Sequence, residues 1–462
     1  MLSRIGIWLL SLVGAVPVPQ EPVQVDLIVY NAIVVTMDAN SRVLPRGAVA
    51  IRGNSIVAVE AADVIAATYI AKDTIDAGGQ VVMPGLVNTH THAPMVLYRG
   101  LADDLALMEW LEKYIFPAEA RTVSPEMVRI GTRLAALEMI QSGTTTFADM
   151  YYFEEEIAQA ARAAGLRGVL GQTIIRFPVA DAATPAQALK RAEAFIKAFR
   201  GDALVTPAVA PHSAYTLDRA TLVASRELAA RYGVPLLIHL AETEEEVRVI
   251  RDDSGLSPTG YLQSIGFWGP KTLAAHGVWV TDEDIAILGR AGAGVSHNPE
   301  SNMKLASGTA PVPRYLAAGV ALGLGTDGAA SNNDLDMFEA MRQAAFLHKL
   351  DTRDPRAVPA PAVLEMATIG GARALGMERE IGSIEAGKRA DLIVVGMRRA
   401  RQTPRYDALS HLVYATRGDD VETTVVDGRV LMRDRKVLTL DEAAVLDEAE
   451  AFAVKVRAAV AP

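Results

Sequence analysis

Eight short apolar runs recur between residues 81 and 327, separated by stretches of helical periodicity. They are Val81–His90, Gly143–Asp149, Leu166–Thr173, Leu204–His212, Val234–His239, Thr272–His276, Gly292–His297 and Val320–Asp327. The intervening amphipathic segments include SPEMVRIGTRLAALEMIQSG, DRATLVASRELAARYG and TDEDIAILGRAG. In the first of these, Ser124 followed by Pro125 and Glu126 is a helix start, and Gly143 sits just past the end. Eight strands alternating with helices lead us to expect an α/β fold, a (β/α)8 TIM barrel. A doubly wound sheet would need a glycine-rich phosphate turn after an early strand, and the chain has none.

The flanks read differently. VQVDLIVYNAIVVTMD and GAVAIRGNSIVAVE precede the barrel, and GSIEAGKRADLIVV and DVETTVVDGRVLMRD follow it. All four read as strands broken by turn residues, so both chain ends are expected to pair into one small β-sandwich domain. The expected organisation is a leader and Pro-rich linker at 1–22, a composite β-sandwich of 23–80 plus 380–440, a catalytic barrel at 81–379 and a C-terminal helix at 441–462. The first 20 residues, MLSRIGIWLLSLVGAVPVPQ, place Arg4 before an apolar run that is too short to span a bilayer. With Val13-Gly14-Ala15 as a small-residue cleavage site, the segment reads as a secretory leader and suggests export. A misplaced start and a cytoplasmic protein are the alternative. No stable membrane anchor is expected.

Composition narrows the function. Half of the 462 residues are hydrophobic, enough for a large core. A net charge of −10 provides no basic footprint for nucleic acid. The absence of cysteine excludes disulfides, thiolate metal sites and a cysteine nucleophile.

Six of the eight histidines fall at the ends of these strands: His90, His92, His212, His239, His276 and His297. In a strand, residues two apart share a face, so His90 and His92 project together. They do so at the C-terminal rim, where barrel active sites lie. A lone histidine there is more often structural; so many on one rim is hard to explain by packing. His90, His92, His239 and Asp327 form a three-imidazole, one-carboxylate set that suits one divalent ion, zinc first, with iron(II) or manganese as alternatives. Such a set leaves room for water, whose pKa the ion lowers toward neutrality. A second ion would call for a bridging group, commonly a modified lysine, and no lysine ends the strands near 149, 173 or 212.

The segments PGLVNTHTH, HLAETEEEV, AAHGVWV, VSHNPESNMKLASG and LGTDGAASNNDLDMFEAMR resemble the amidohydrolase superfamily, and within it the methylthioadenosine and S-adenosylhomocysteine deaminase branch. The resemblance runs from about residue 25 to about 440. It implies a mononuclear metal on a distorted barrel, hydrolytic removal of a purine amino group, a small-molecule nucleoside or heterocycle as substrate and a homo-oligomeric state. It makes Glu242 the carrier of a proton from water to a ring nitrogen, and Asp327 both a ligand and a proton acceptor. His276 becomes the hydrogen-bonding partner of the attacking oxygen, the alternative being a core histidine. Glu244 to Glu246, in the same acidic run, read as surface acids. By resemblance Glu119 binds ribose hydroxyls, His212 meets the base or sugar, and Arg176 faces the amino-acid end of S-adenosylhomocysteine. RFPVADAATPAQ lacks the second arginine of homocysteine-accepting relatives, whereas methylthioadenosine or adenosine would need no such pair. Trp110, Met108 and Met303 are candidates for an apolar pocket wall, against the commoner reading as core. Guanine, 8-oxoguanine and aminotriazine hydrolases share this ligand set, and a cyclic amidohydrolase would use the same geometry. A non-catalytic scaffold would show a gap in the set, and none is visible.

Overall fold

The computed structural model describes residues 21–105 and 107–460; the leader expected over residues 1–20 lies outside the described residues. Eight parallel strands close into a barrel: β1 (Leu86–Thr91), β2 (Thr144–Tyr151), β3 (Arg167–Ile174), β4 (Val205–Pro211), β5 (Leu236–Leu240), β6 (Thr272–His276), β7 (Gly294–His297) and β8 (Ala321–Leu324). Every one of the eight expected runs supplies a strand. Val87, Ala148, Val169, Ala208, Leu237 and Leu273 pack into one apolar cluster, so the barrel is filled rather than hollow.

The helices begin and end where the sequence places their caps. Ser124 accepts a hydrogen bond from the Met127 backbone at the head of helix Pro125–Ser142, and Gly143 closes it at φ 89°. Asp218 caps Arg219–Tyr232, and Thr281 with Asp284 forms a capping box on Asp282–Ala291. Each cap satisfies an amide that the helix itself leaves unpaired. The strands therefore start from fixed helix ends, and their carboxyl ends share one rim.

The first apolar run is divided. Val81–Pro84 pairs with Leu392–Val395 and with the strand Val23–Val35, and only the residues after Gly85 enter the barrel. Gly85 is the pivot, because a Cβ there would lie 2.1 Å from the Thr145 side chain. The flanks meet in one mixed nine-stranded sheet rather than as a separately closed pair of sheets. Its long strand Val23–Val35 carries two register shifts. Tyr69–Asp76 pairs in parallel with its first half and Val81–Pro84 with its second. Such irregularities bend a strand; Val29, Val34, Ile51, Ile75, Val82 and Leu392 pack into one core, and Val25, Ile28, Ala48, Ala50 and Ile65 into a second. The strand Tyr69–Asp76 has no counterpart in the sequence reading. The C-terminal helix Glu442–Val460 buries Val445, Ala449, Phe452 and Val456, and Lys455 pairs with Glu126 at 2.9 Å. Among the described residues no helix is long and apolar enough to cross a membrane.

Arg167, at the start of β3, ties the barrel floor to the sheet. Its buried guanidinium reaches Asp391 at 2.9 Å and Asp427 at 3.1 Å. Removing one partner of such a buried set leaves a charge without solvent or counter-ion. Arg167→Ala is expected to cost about 3–5 kcal/mol, read as a large fall in Tm, whereas a loss near zero would mean that water replaces the guanidinium.

Candidate active site and metal centre

At the C-terminal rim, β1 and β8 share few backbone bonds, and side chains complete the join. The Asn88 amide donates to Thr326 Oγ1 at 2.7 Å and accepts from the Thr326 amide at 3.1 Å. The Asp327 amide donates to the His90 carbonyl at 2.9 Å. His276 and Asp327 both adopt left-handed backbone, at φ 74° and 65°. Non-glycine residues pay for this conformation, and they keep it where a site dictates the direction of a side chain.

The four expected ligands meet. His90 Nε2 lies 3.4 Å and His92 Nε2 3.3 Å from Asp327 Oδ1, and His239 Nε2 lies 3.3 Å from His92 Nε2. Two ligands about 2.1 Å from one ion at a tetrahedral angle stand about 3.4 Å apart. The outer ring nitrogens explain why an ion fits. His92 Nδ1 donates to the Met150 carbonyl at 2.7 Å, and His239 Nδ1 to the His212 carbonyl at 2.8 Å. In neutral rings this leaves two Nε2 lone pairs facing each other, an arrangement that a shared cation relieves. His90 Nε2 is buried without a hydrogen-bond partner, as a ligand atom would be. Burial lowers His90 to about 4 and His239 well below its ordinary value, so both are neutral near pH 7. Burial alone would raise Asp327, but the imidazoles of His90, His92 and His276 outweigh it and hold the carboxylate well below its usual range. Asp327 Oδ2 also accepts from Ser301 Oγ at 2.7 Å, and Oδ1 from the Gly328 amide at 2.7 Å. The donor set and its spacing could hold a metal ion.

His276 also belongs to this group. One of its ring nitrogens lies within 4.8 Å of ligand atoms of His90 and His239, and its Nε2 lies 4.0 Å from Asp327 Oδ2 and 3.7 Å from Glu242 Oε2. Its Nδ1 hydrogen-bonds Asn302 Oδ1 at 3.0 Å, which fixes the ring. Burial opposes a proton on His276, yet the Glu242 and Asp327 carboxylates outweigh it and raise its pKa. Burial raises Glu242 in turn, against the pull of His276.

Glu246 departs from its reading as a surface acid. It is 3% exposed, whereas Glu244 and Glu245 are exposed as expected. Its carboxylate accepts from the Ala241 amide at 2.9 Å and the Glu242 amide at 3.0 Å, and so fixes the backbone of Glu242. The signal was available: Thr243 caps the helix and Glu246 stands three residues on, the T-x-x-E spacing whose glutamate turns back toward the helix start. Glu246→Ala strands both amides. The expected cost is about 1–3 kcal/mol for each, read as a lower Tm together with slower turnover by the folded protein; an unchanged Tm would mean that water takes over both bonds.

Over the cluster lies a cavity with about 690 Å³ of unfilled space, its mouth included, lined by Trp110, Phe116, Glu119, Tyr151, His212 and Tyr215 among others. A concave wall of this kind suits a small molecule. One wall is a π-helical turn, Leu111–Ile115, which leads into helix Phe116–Thr122 and Glu119. Glu119 accepts from the Tyr151 hydroxyl at 2.5 Å, and burial pushes it up to about 7. His212 lines the cavity with its ring 4.6 Å from that of His239, and burial holds it down to about 3.

Some residues lie elsewhere. Arg176 is exposed on the loop after β3 and lines neither this cavity nor its neighbour. Met108 and Met303 are each 40% exposed and outside the cavity wall, while Trp110 belongs to it. His297 turns away from the cluster, its Nε2 3.0 Å from that of His348 on the helix Met337–Thr352.

Comparison with known proteins identifies the family. The amidohydrolase family matches residues 81–431. A 5-methylthioadenosine/S-adenosylhomocysteine deaminase of Syntrophobacter fumaroxidans is 50% identical over 416 residues, 90% of this chain and 95% of its own. A 5'-deoxyadenosine deaminase of Methanosarcina mazei is 47% identical over 94% of this chain and 99% of its own. The crystal structure of a zinc-bound adenosine deaminase from Xanthomonas campestris superposes with a TM-score of 0.93 at 38% identity, over 95% of this chain and 100% of that one. The chain belongs to the amidohydrolase family.

Proposed function

We propose that this chain is a metal-dependent hydrolytic deaminase of adenosine-type purines, exchanging the ring amino group for an oxo group with release of ammonia. The observation that carries the reading is one cavity whose wall brings together His92, His239, Glu242, His276 and Asp327, beside a buried His90 Nε2 that has no hydrogen-bond partner. Relatives bearing adenosine-type deaminase names, matched over nearly their whole length, support it. Zinc is the expected ion, with iron(II) and manganese as alternatives; a divalent ion held by His90, His92, His239 and Asp327 supplies the Lewis acidity that makes water acidic near neutral pH.

The protein's own groups manage the protons. Glu242 takes the first proton of the attacking water and delivers it to the ring nitrogen beside the amino-bearing carbon, which becomes electrophilic. Its raised pKa suits a group that must both accept and donate. His276 Nε2 hydrogen-bonds the incoming oxygen, with Asn302 holding the ring in place. Asp327 takes the second proton and passes it to the amino group, which leaves as ammonia.

The substrate's other end meets Glu119, whose carboxylate suits ribose hydroxyls, and His212 faces the base or sugar. A second space adjoins the cavity through Phe116, Glu119 and Tyr152, and its remaining wall is mostly apolar: Val123, Phe177, Pro178, Val179 and Ala180, with Glu112 as its other acid. A 5'-substituent lies one carbon beyond the ribose and would enter this space. Its wall favours methylthio or deoxy groups over a zwitterionic amino acid, since Arg176 does not line it. The expected kcat/KM for methylthioadenosine or 5'-deoxyadenosine therefore exceeds that for S-adenosylhomocysteine. Ammonia release from the three, by the zinc-loaded protein, checks this; equal values would place the 5'-end elsewhere.

The expected homo-oligomer is supported by Phe346 and Leu350, exposed by 45% and 79% on one face of the helix Met337–Thr352. Sedimentation tests it.

A further inference from the structure

Asp149, which neither the ligand set nor the proton steps use, is fully buried at the end of β2. One of its oxygens, Oδ2, accepts from Thr91 Oγ1 at 2.6 Å and from the Ala93 amide at 2.6 Å, the two residues that flank His92. The next residue, Met150, offers its carbonyl to His92 Nδ1, and the one after, Tyr151, donates its hydroxyl to Glu119. Three successive residues of one strand thus hold the chain around His92, the ring of His92 and a wall of the cavity. A buried carboxyl is a costly way to hold two neutral donors where packing alone is required. Its other oxygen, Oδ1, has no partner.

We propose that Asp149 is a positioning residue that sets the direction of His92 Nε2 and, through it, the affinity of the site for its metal. The proposal rests on His92 being a ligand. Groups that orient ligands from outside the coordination sphere are worth about 10–100-fold in metal affinity when removed. Asp149→Ala should therefore weaken zinc binding by about that factor, with kcat lowered and KM little changed. Asp149→Asn keeps an oxygen for Thr91 and Ala93 and should recover most of the affinity. Glu154 provides the contrast: it is equally buried on the same side of the barrel, but its carboxyl accepts from the Tyr151 amide and does not touch the His92 segment. Glu154→Gln should leave zinc affinity unchanged.

The test is zinc affinity of the four full-length proteins by competition with a chromophoric chelator, with Tm measured on the same samples. The expected order is wild type, Glu154→Gln and Asp149→Asn close together and Asp149→Ala weaker. Wild-type affinity in a folded Asp149→Ala protein, whatever its Tm, would overturn the proposal and leave Asp149 a packing residue. Should Asp149→Ala fail to fold, a fourth variant, Thr91→Val, which removes one donor, carries the test; wild-type affinity in Thr91→Val would overturn the proposal. A wild-type protein that binds no zinc, iron(II) or manganese would instead overturn the ligand reading on which the proposal stands.

Discussion

Glu242→Gln is expected to keep the fold and the metal while losing about 10²–10⁴-fold in kcat. The amide matches the carboxyl in shape, and the Glu246 carboxylate still holds its backbone through the Ala241 and Glu242 amides. What the amide cannot do is accept a proton from water and return it to a ring nitrogen. KM should move little, because Glu242 acts on the reacting atoms more than on the body of the substrate. Steady-state ammonia release and metal analysis of one preparation decide the matter. A loss smaller than tenfold, with full metal content, would remove Glu242 from the proton path.

The second large effect is expected from His239→Ala. In the proposed ligand set His239 supplies one of three imidazole nitrogens, and its Nε2 lies 3.3 Å from that of His92. Loss of a ligand should exceed the roughly 100-fold affinity loss that an orienting group can cause. The purified variant should carry well under one equivalent of metal, and activity should fall with it. Stability should follow, because an ion at a thousand times its Kd adds about 4 kcal/mol to the folded state. The Tm of the variant should therefore lie near that of the chelator-stripped wild type and respond little to added zinc. A variant that retains one equivalent and normal turnover would mean that His276 replaces His239 as ligand, an arrangement the His90, His239 and His276 grouping makes worth excluding.

The barrel was legible because its signal repeats: short apolar runs, helix caps between them and a polar residue at each end. The clustering of His90, His92, His239 and Asp327, the proposed ligands, was legible for the same reason, since a strand end is where a sequence announces the rim. The same signature misplaces His297, which ends β7 as His276 ends β6 but pairs with His348 from a helix distant in sequence. Which strand-end side chain faces inward depends on register and on backbone such as the left-handed turns at His276 and Asp327. Residue type does not report that. Glu246 was hidden by its acidic neighbours, and only its spacing from Thr243 distinguishes it. Asp149 gave no signal, because a buried acid that holds backbone looks in sequence like any aspartate at a strand end. The run Val81–His90 reads as one strand, because its division at Gly85 follows from the approach of Thr145, a residue that sequence periodicity does not place there.

The most direct test of the account is ammonia release by the metal-loaded protein from methylthioadenosine, measured beside guanine, 8-oxoguanine and an aminotriazine. The account predicts rapid release from methylthioadenosine, lowered about 10²–10⁴-fold by Glu242→Gln, and little from the other three. Release confined to guanine, 8-oxoguanine or the triazine, or none at all with metal bound, would contradict it.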